Sequence, residues 1–397
     1  LKYVLEACHA TDARDIHIIP ISISYDLIRD VEEYATEQTG RGKGAESLRW
    51  FIGYIRSLAK PMGKVYMDIG EPVVLEQAPD PDDRMALPKI AFEVAVHANK
   101  VTPITLPAIG CMVLLGASPQ ALTLEELQGE ILAHVRWARH RGIRLTSDFT
   151  PERLSHVDQL ANSMVGMGLL MRYDEGSDTV FGIEQDQQPM ASYYRNSIIH
   201  HFVNKAIIEL ALLQAGDAPA DEARAAFWQE TERLRDYFKF EFFYPEKAQF
   251  RQELEEELAR VDPEWEARLQ EGWQGIHQLL SSMRPLVAHA SLWSFVEAYS
   301  VVFNLLARLD GSESLEEEDC VNQALKEGKQ LYLQRRINSE ASIGKILFSN
   351  GYKLASNFGL TEGGGPELAD QRDNLLREFK ELWRRLDRIR SMALSGE

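Results

Sequence analysis

The chain has 397 residues, of which 45% are hydrophobic and 26% charged, and it carries a formal net charge of −18. That length suits two or three domains with at least one sizeable core, and the composition is globular rather than disordered. The acidic balance argues against a general nucleic-acid binder, which needs a basic face. No run reaches the roughly 18 apolar residues of a spanning helix, so any membrane association expected of this stretch is peripheral.

At the start, Leu1, Val4, Leu5 and Cys8 share one helical face with no capping residue before them, the pattern expected of a truncated chain. The β-branched run over 16–25 (IHIIPISISY) predicts a strand buried on both faces, with Pro20 marking a strand end, an edge or a bulge. Helical patterns follow over about 26–37 and 48–60, separated by a loop with Gly40, Gly42 and Gly44. The spacing of those glycines fits neither the Walker loop nor the dinucleotide fingerprint. A second strand, 64–70, leads into Glu71 and Pro72. Strand, helix and strand without a hairpin signal predict a parallel βα unit, and two strands are too few for a domain, so the rest of the sheet is expected upstream.

Beyond the acidic, proline-rich stretch 76–88 the chain reads as helical. A helix is expected from about Pro88 to Ala98, and an apolar stretch covers 101–115. Thr123 and Glu126 form a capping-box signature opening a helix that Gly142 ends. A helix over 152–166 and a hairpin over 171–183 complete a winged-helix-like arrangement, read as a packing module in so acidic a chain. An apolar helix is expected over 197–213, and amphipathic ones over 220–235, 249–282, 315–335 and 366–392.

The residues by themselves show no catalytic constellation. None of the ten histidines has an aspartate five positions on, and HExxH, CxxC, GxSxG and Walker motifs are absent. Cys8, Cys111 and Cys320 match no metal spacing and suggest free thiols in a reducing compartment. His200 and His201 are expected to point apart, one into the core and one outward. The ELEEE run at 253–257 reads as a solvated helix face. No cofactor or metal site is expected.

The segment IIPISISYD, followed about 40 residues later by GKVYMDIGEPVVL, resembles the fourth conserved block and the next strand of the bacterial and mitochondrial-type glycerol-3-phosphate 1-O-acyltransferases. ASYYRNSIIH at 191–200 resembles that family's helical C-terminal region. The resemblance implies an α+β fold, mostly α: residues 1–80 as the C-terminal part of an α/β acyltransferase domain, and 81–397 as a helical region with a small winged-helix-like hairpin.

It also implies a chemistry. A His in H-x4-D deprotonates the sn-1 hydroxyl of glycerol 3-phosphate, which attacks the thioester of acyl-CoA or acyl-carrier protein. GxxFIRR and FPEGTRSR blocks hold the phosphate. None of these three blocks occurs in this chain, so this chain alone is expected to be inactive. Ile19, Pro20, Ile21 and Ser22 match the fourth block and are the candidate substrate-binding residues, with Pro20 placed at the C-terminal end of a parallel strand, where open sheets bind ligands. The implied partners are glycerol 3-phosphate, the acyl donor, acyl-carrier protein and a membrane surface on its cytoplasmic face, with no nucleic acid.

Arg136, Arg139, His140, Arg141, Arg144 and the arginines at 384–390 are candidate membrane contacts, or ordinary solvated helix ends. Tyr193, Tyr194 and Arg195 are expected at the interface between the helical region and the catalytic domain. Two alternatives stay open: a non-catalytic helical scaffold derived from the same family, and a winged-helix regulator of transcription.

Overall fold

The computed structural model describes residues 1–27, 63–147 and 150–395. The helical patterns expected over 26–60 and the glycine loop between them lie outside these, apart from Asp26 and Leu27. Helix α1 (Lys2–Ala10) buries Leu5 but leaves Val4 and Leu1 exposed. It leads into an antiparallel ribbon of four short strands: β1 (Arg14–Ile18), β2 (Ile21–Tyr25), β3 (Val65–Ile69) and β4 (Val73–Gln77). β1 pairs with β4 and β2 with β3.

These pairs are two long strands broken at matched points. Pro20 interrupts the first and Gly70–Pro72 the second, and the Gly70 amide donates to the Pro20 carbonyl at 2.8 Å. The register runs from Ile21 opposite Ile69 to Tyr25 opposite Val65, so the expected parallel βα unit is not what forms. Lack of a tight-turn signal excludes only a two-residue hairpin. A long insertion closes an antiparallel pair at little extra entropic cost. Pro20 therefore sits in an antiparallel ribbon, and the parallel strand-end argument for it does not apply.

Nor is the first strand buried on both faces. Alternation puts Ile21, Ile23 and Tyr25 on one face opposite Ile69, Met67 and Val65, and all six are exposed. The other face carries Ser22, Ser24, Tyr66 and Asp68 and turns toward α2 (Ala86–Val101), which packs along β2, β3 and β4.

After residue 104 the character reverses. Helix α3 (Leu106–Ala117) is buried on almost every side. It is followed by β5 (Leu122–Thr123), α4 (Leu124–Arg139), α5 (Leu154–Gly166), β6 (Met171–Tyr173) and β7 (Val180–Gly182). The strands form a three-stranded antiparallel sheet in the order β5-β7-β6, so the hairpin and its winged-helix-like setting are in place. The capping box forms as its residues require: the Glu126 amide donates to Thr123 Oγ1 at 3.2 Å and the Thr123 amide to Glu126 Oε2 at 2.8 Å. Gly142 ends the helical run with φ +67°, a conformation that a Cβ disfavours.

The remainder is helical: α6 (Gln188–Asn196), α7 (Val203–Gly216), α8 (Ala223–Tyr237), α9 (Lys247–Val261), α10 (Trp265–Gln270), α11 (Trp273–Ser282), α12 (Ala288–Leu306), α13 (Glu317–Leu333), α14 (Lys345–Asn357) and α15 (Pro366–Ser395). Where one helix is expected over 197–213, the chain instead breaks into a 3-10 turn at Ile199–His201 before α7. One continuous core runs from Ile104 to Ile389.

At its centre α7 and α12 meet through a buried carboxylate. Glu209 accepts from the amides of Val287 and Ala288 at 2.9 and 2.8 Å and pairs with Lys205 at 3.0 Å. An anion at a helix N-terminus satisfies two orphan amides and complements the helix dipole. Burial pushes the Glu209 pKa up against the pull of Lys205. The fold is thus α+β and mostly α. No helix among the described residues is long and apolar enough to cross a membrane.

Candidate functional site

The four candidate substrate-binding residues divide by face. Ile19 is 54% and Ile21 49% exposed, on the apolar side of the ribbon, while Pro20 and Ser22 are buried. The Ser22 hydroxyl lies 2.8 Å from Thr102 Oγ1, which itself donates to the Ala98 carbonyl. Ser22 therefore ties the ribbon to the end of α2, and the surface open to a ligand is the one formed by Ile19 and Ile21.

Most of the arginines offered as membrane contacts have partners within the fold. Arg139 pairs with Glu152 at 2.6 Å, Arg144 with Asp68 at 2.9 Å and Arg388 with Asp217 at 3.2 Å. Arg141 meets Glu257 through both Nε and Nη2, at 2.7 and 2.5 Å, and stacks over Trp137. Arg385 is buried against Glu230 at 2.6 Å. The Arg141–Glu257 and Arg385–Glu230 pairs are buried and engaged within the fold, whereas Arg139, Arg144 and Arg388 form half-exposed surface pairs of little energetic weight.

The adjacent histidines behave differently from the helical expectation. They lie in a 3-10 turn, and both rings turn the same way, with centroids 4.0 Å apart. His200 Nε2 donates to the Asn99 carbonyl at 2.9 Å and His201 Nε2 to that of Thr102 at 2.8 Å. Burial, reinforced by the His201 charge, holds the His200 pKa down at about 3. The pair clamps the end of α2 onto the helical body.

Arg195 is not at the ribbon. It is 4% exposed and sits between α6 and α12, donating to the Ala290 carbonyl at 3.1 Å, Ser294 Oγ at 3.0 Å and Asn196 Oδ1 at 2.8 Å. Burial lowers its pKa to about 10. It lines a cavity of about 800 Å³ enclosed by the end of α3, the segment after β7, α6, the start of α12, the 335–340 loop and Arg390 of α15. A smaller pocket of about 200 Å³ shares Ser192, Arg195 and Ser294 as its wall.

Four buried atoms in the wall of the larger cavity have no hydrogen-bond partner: Gln188 Oε1, Ser192 Oγ, His289 Nδ1 and Arg390 Nε. Each such group costs about 1–3 kcal/mol when left dry and unpaired. Arg390 Nη2 donates to the Ser118 carbonyl at 2.8 Å, and its guanidinium lies 5.7 Å from the Trp293 ring. His289 stays neutral because burial, with Arg390 and His134 near, pushes its pKa down to about 3. The sequence places Ser192 in the 191–200 motif and Arg390 among the terminal arginines without bringing them to one site, yet a signal was present. Gln188, Ser192 and Arg195 stand at i, i+4 and i+7 of one helix, a polar stripe on a buried face.

Fold and cavity together define an α+β protein with an open apolar ribbon at one end and an arginine-lined cavity inside its helical bulk. The chain belongs to the family described as glycerol-3-phosphate acyltransferase C-terminal region, whose model matches residues 34–363. It is similar to the putative acyltransferase plsB1 of Mycobacterium tuberculosis and of Mycobacterium bovis, at 31% identity over 404 residues and 99% of this chain. The chain spans 64% of the length of those relatives. A glycerol-3-phosphate acyltransferase of Histophilus somni is 23% identical over 279 residues, covering 66% of this chain and 34% of that protein.

Proposed function

We propose that the chain serves a glycerol-3-phosphate 1-O-acyltransferase, which moves an acyl group from acyl-CoA or acyl-carrier protein to the sn-1 hydroxyl of glycerol 3-phosphate, the first step of phospholipid synthesis. The observation that carries this reading is the ribbon. It matches the family's fourth block in sequence and presents six apolar side chains outward. A contiguous apolar face of this kind is rarely left bare on a soluble protein.

In this reading residues 1–80 are part of the acyltransferase α/β domain and residues 81–397 the helical region beside it. Ile19 and Ile21 line the acyl-donor and substrate cleft, while Pro20 and Ser22 hold the ribbon's bend and its seat on α2. The general base is an H-x4-D histidine that this chain does not contain, so the chain alone is inactive. Acyl-CoA or acyl-carrier protein enters as co-substrate, with no cofactor. The amphiphilic product places the enzyme peripherally at the cytoplasmic face of the cell membrane, with the apolar ribbon face a better lipid contact than the paired arginines.

The test begins with the coding sequence that precedes Leu1 in the gene. An in-frame extension with H-x4-D is expected, and the extended protein should acylate glycerol 3-phosphate from acyl-CoA or acyl-carrier protein, with activity lost when that histidine becomes alanine. A stop codon directly upstream, or an extended protein that transfers no acyl group, would leave the non-catalytic scaffold. The continuous helical core favours that second reading, because it already buries its own apolar surface.

A further inference from the structure

The seam where α2 and the ribbon meet the helical body is thin. Helix α2 buries only Ile90 of its 16 residues. Among the described residues, none before Ile104 belongs to the body's apolar core or to the partly buried side chains packed on it. The links across the seam include an edge-to-face contact between the exposed rings of Phe92 and Phe243, with centroids 5.3 Å apart, and the Arg144–Asp68 pair. The others are the two imidazoles that donate to the Asn99 and Thr102 carbonyls at the end of α2. A seam held by so few apolar contacts depends on its polar ones.

The charges that face the histidine pair are engaged elsewhere. His201 shares a small pocket with Arg141, Lys205, Glu253, Glu256, Glu257 and Arg260. Arg141 reaches Glu257, Arg260 reaches Glu256 and Glu257, Lys205 reaches Glu209, and Glu253 accepts from Asn204 at 3.0 Å. On α2, His97 is tied to the Glu71 carbonyl and Lys100 is exposed. Neither ring has a carboxylate at ion-pair distance among the described residues; their acceptors are carbonyls. A proton added to either ring is therefore a part-buried charge without a counter-ion, 4.0 Å from a second imidazole. We propose that His200 and His201 form an acid-sensitive latch: neutral, they hold the end of α2 on the body, and protonation releases α2 with its ribbon while the body stays folded. Burial holds both imidazoles below their ordinary 6.5, His200 at about 3. Closure is thus fully favoured above pH 6.5, and that preference is lost as pH falls from there toward about 3. Ile19 and Ile21 ride on the released unit, so in the reading of the ribbon as a cleft wall, acid withdraws that wall. The latch itself does not rest on that reading, because its test measures no acyl transfer.

Amide exchange of the full 397-residue chain at pH 7 and pH 5, corrected for the intrinsic rate at each pH, tests this. Opening of the 99–105 segment should rise at least about tenfold on acidification and, at pH 5, exceed that of α12 by at least as much. His200→Gln with His201→Gln keeps a donor for each carbonyl but takes no proton, and should hold the rise below about threefold. His134 and His289 are also held low by burial, at about 4 and about 3, but they belong to the body, so the glutamine pair separates the latch from them. Asp68→Asn, which removes the Arg144 pair, should leave the tenfold rise in place. The proposal is overturned if the parent opens less than tenfold more at pH 5, if α12 exchanges as fast as the seam, if the glutamine pair still opens threefold or more, or if Asp68→Asn abolishes the response. Should the glutamine pair be open already at pH 7, the ring resonances of the parent decide: rings that take a proton while the 99–105 segment stays protected overturn it, and rings that take one only as that segment opens uphold it.

Discussion

The ribbon of residues 14–77 and the helical body beyond residue 104 bury opposite surfaces. In the ribbon, Ile23 and Met67 face each other with more than half of each side chain exposed, while the side turned to α2 carries Ser22, Ser24, Tyr66 and Asp68. In the body, Phe303 packs edge to face against both Tyr299 and Phe379, and charged groups such as Glu209 and Lys205 are sealed in with partners. The body buries its own apolar surface. The ribbon has an organised apolar face that only another surface could satisfy. An apolar pattern in sequence therefore does not say whether the burying partner lies within the same stretch of chain.

The largest test of this contrast is Phe379→Ala. It removes a ring packed 4.7 Å from Phe303 and 4.9 Å from Tyr237, and should cost about 3–5 kcal/mol in a denaturant titration. A loss below about 1 kcal/mol would mean that the body is not close-packed and would dissolve the comparison.

A pH series sharpens it next. Burial raises the Glu241 pKa from 4.5 to about 7, even though Tyr299 donates to it at 2.8 Å. A carboxyl raised on folding contributes stability that is fully present below pH 4.5 and lost as pH rises through about 7. Glu241→Gln should therefore flatten the fall in melting temperature across that window, a change of about 3 kcal/mol at neutral pH. An unchanged slope would remove Glu241 from the account.

At the seam between the regions, Ser22→Ala removes the hydroxyl contact with Thr102 and should cost about 1 kcal/mol. The local signature would be faster amide exchange in the ribbon and the end of α2, with the body unchanged. Exchange rising everywhere would show that ribbon and body unfold as one unit.

Smallest in stability, Ile23→Thr with Met67→Thr should shift unfolding by no more than about 0.5 kcal/mol, because both side chains are already exposed. The same double variant should reduce binding of a hydrophobic dye. A loss comparable to that of Phe379→Ala would mean that this face is buried in solution.

The helical elements were largely legible in the sequence because their signals are local. The Thr123–Glu126 capping box and the stop at Gly142 lie where the residues place them, and the hairpin over 171–183 forms. The break at Ile199–His201 was not legible, because it depends on two imidazoles reaching carbonyls about a hundred residues away. The substrate-binding candidates were read from motif resemblance; the structure adds that Ile19 and Ile21 face outward and Pro20 and Ser22 inward. The arginine-lined cavity was written only as a polar stripe on α6, whose opposing groups come from α12 and α15.

The sequence by itself determined the mostly helical α+β class, the caps and turns, the family resemblance and the lack of an H-x4-D histidine, since each depends on neighbours within a few residues or on a motif. Tertiary structure alone decided the antiparallel direction of the ribbon, the outward turn of its apolar face, the pairing of the arginines and the cavity around Arg195. Strand direction, burial and charge pairing are properties of what the chain folds against, and those partners stand dozens to hundreds of residues away.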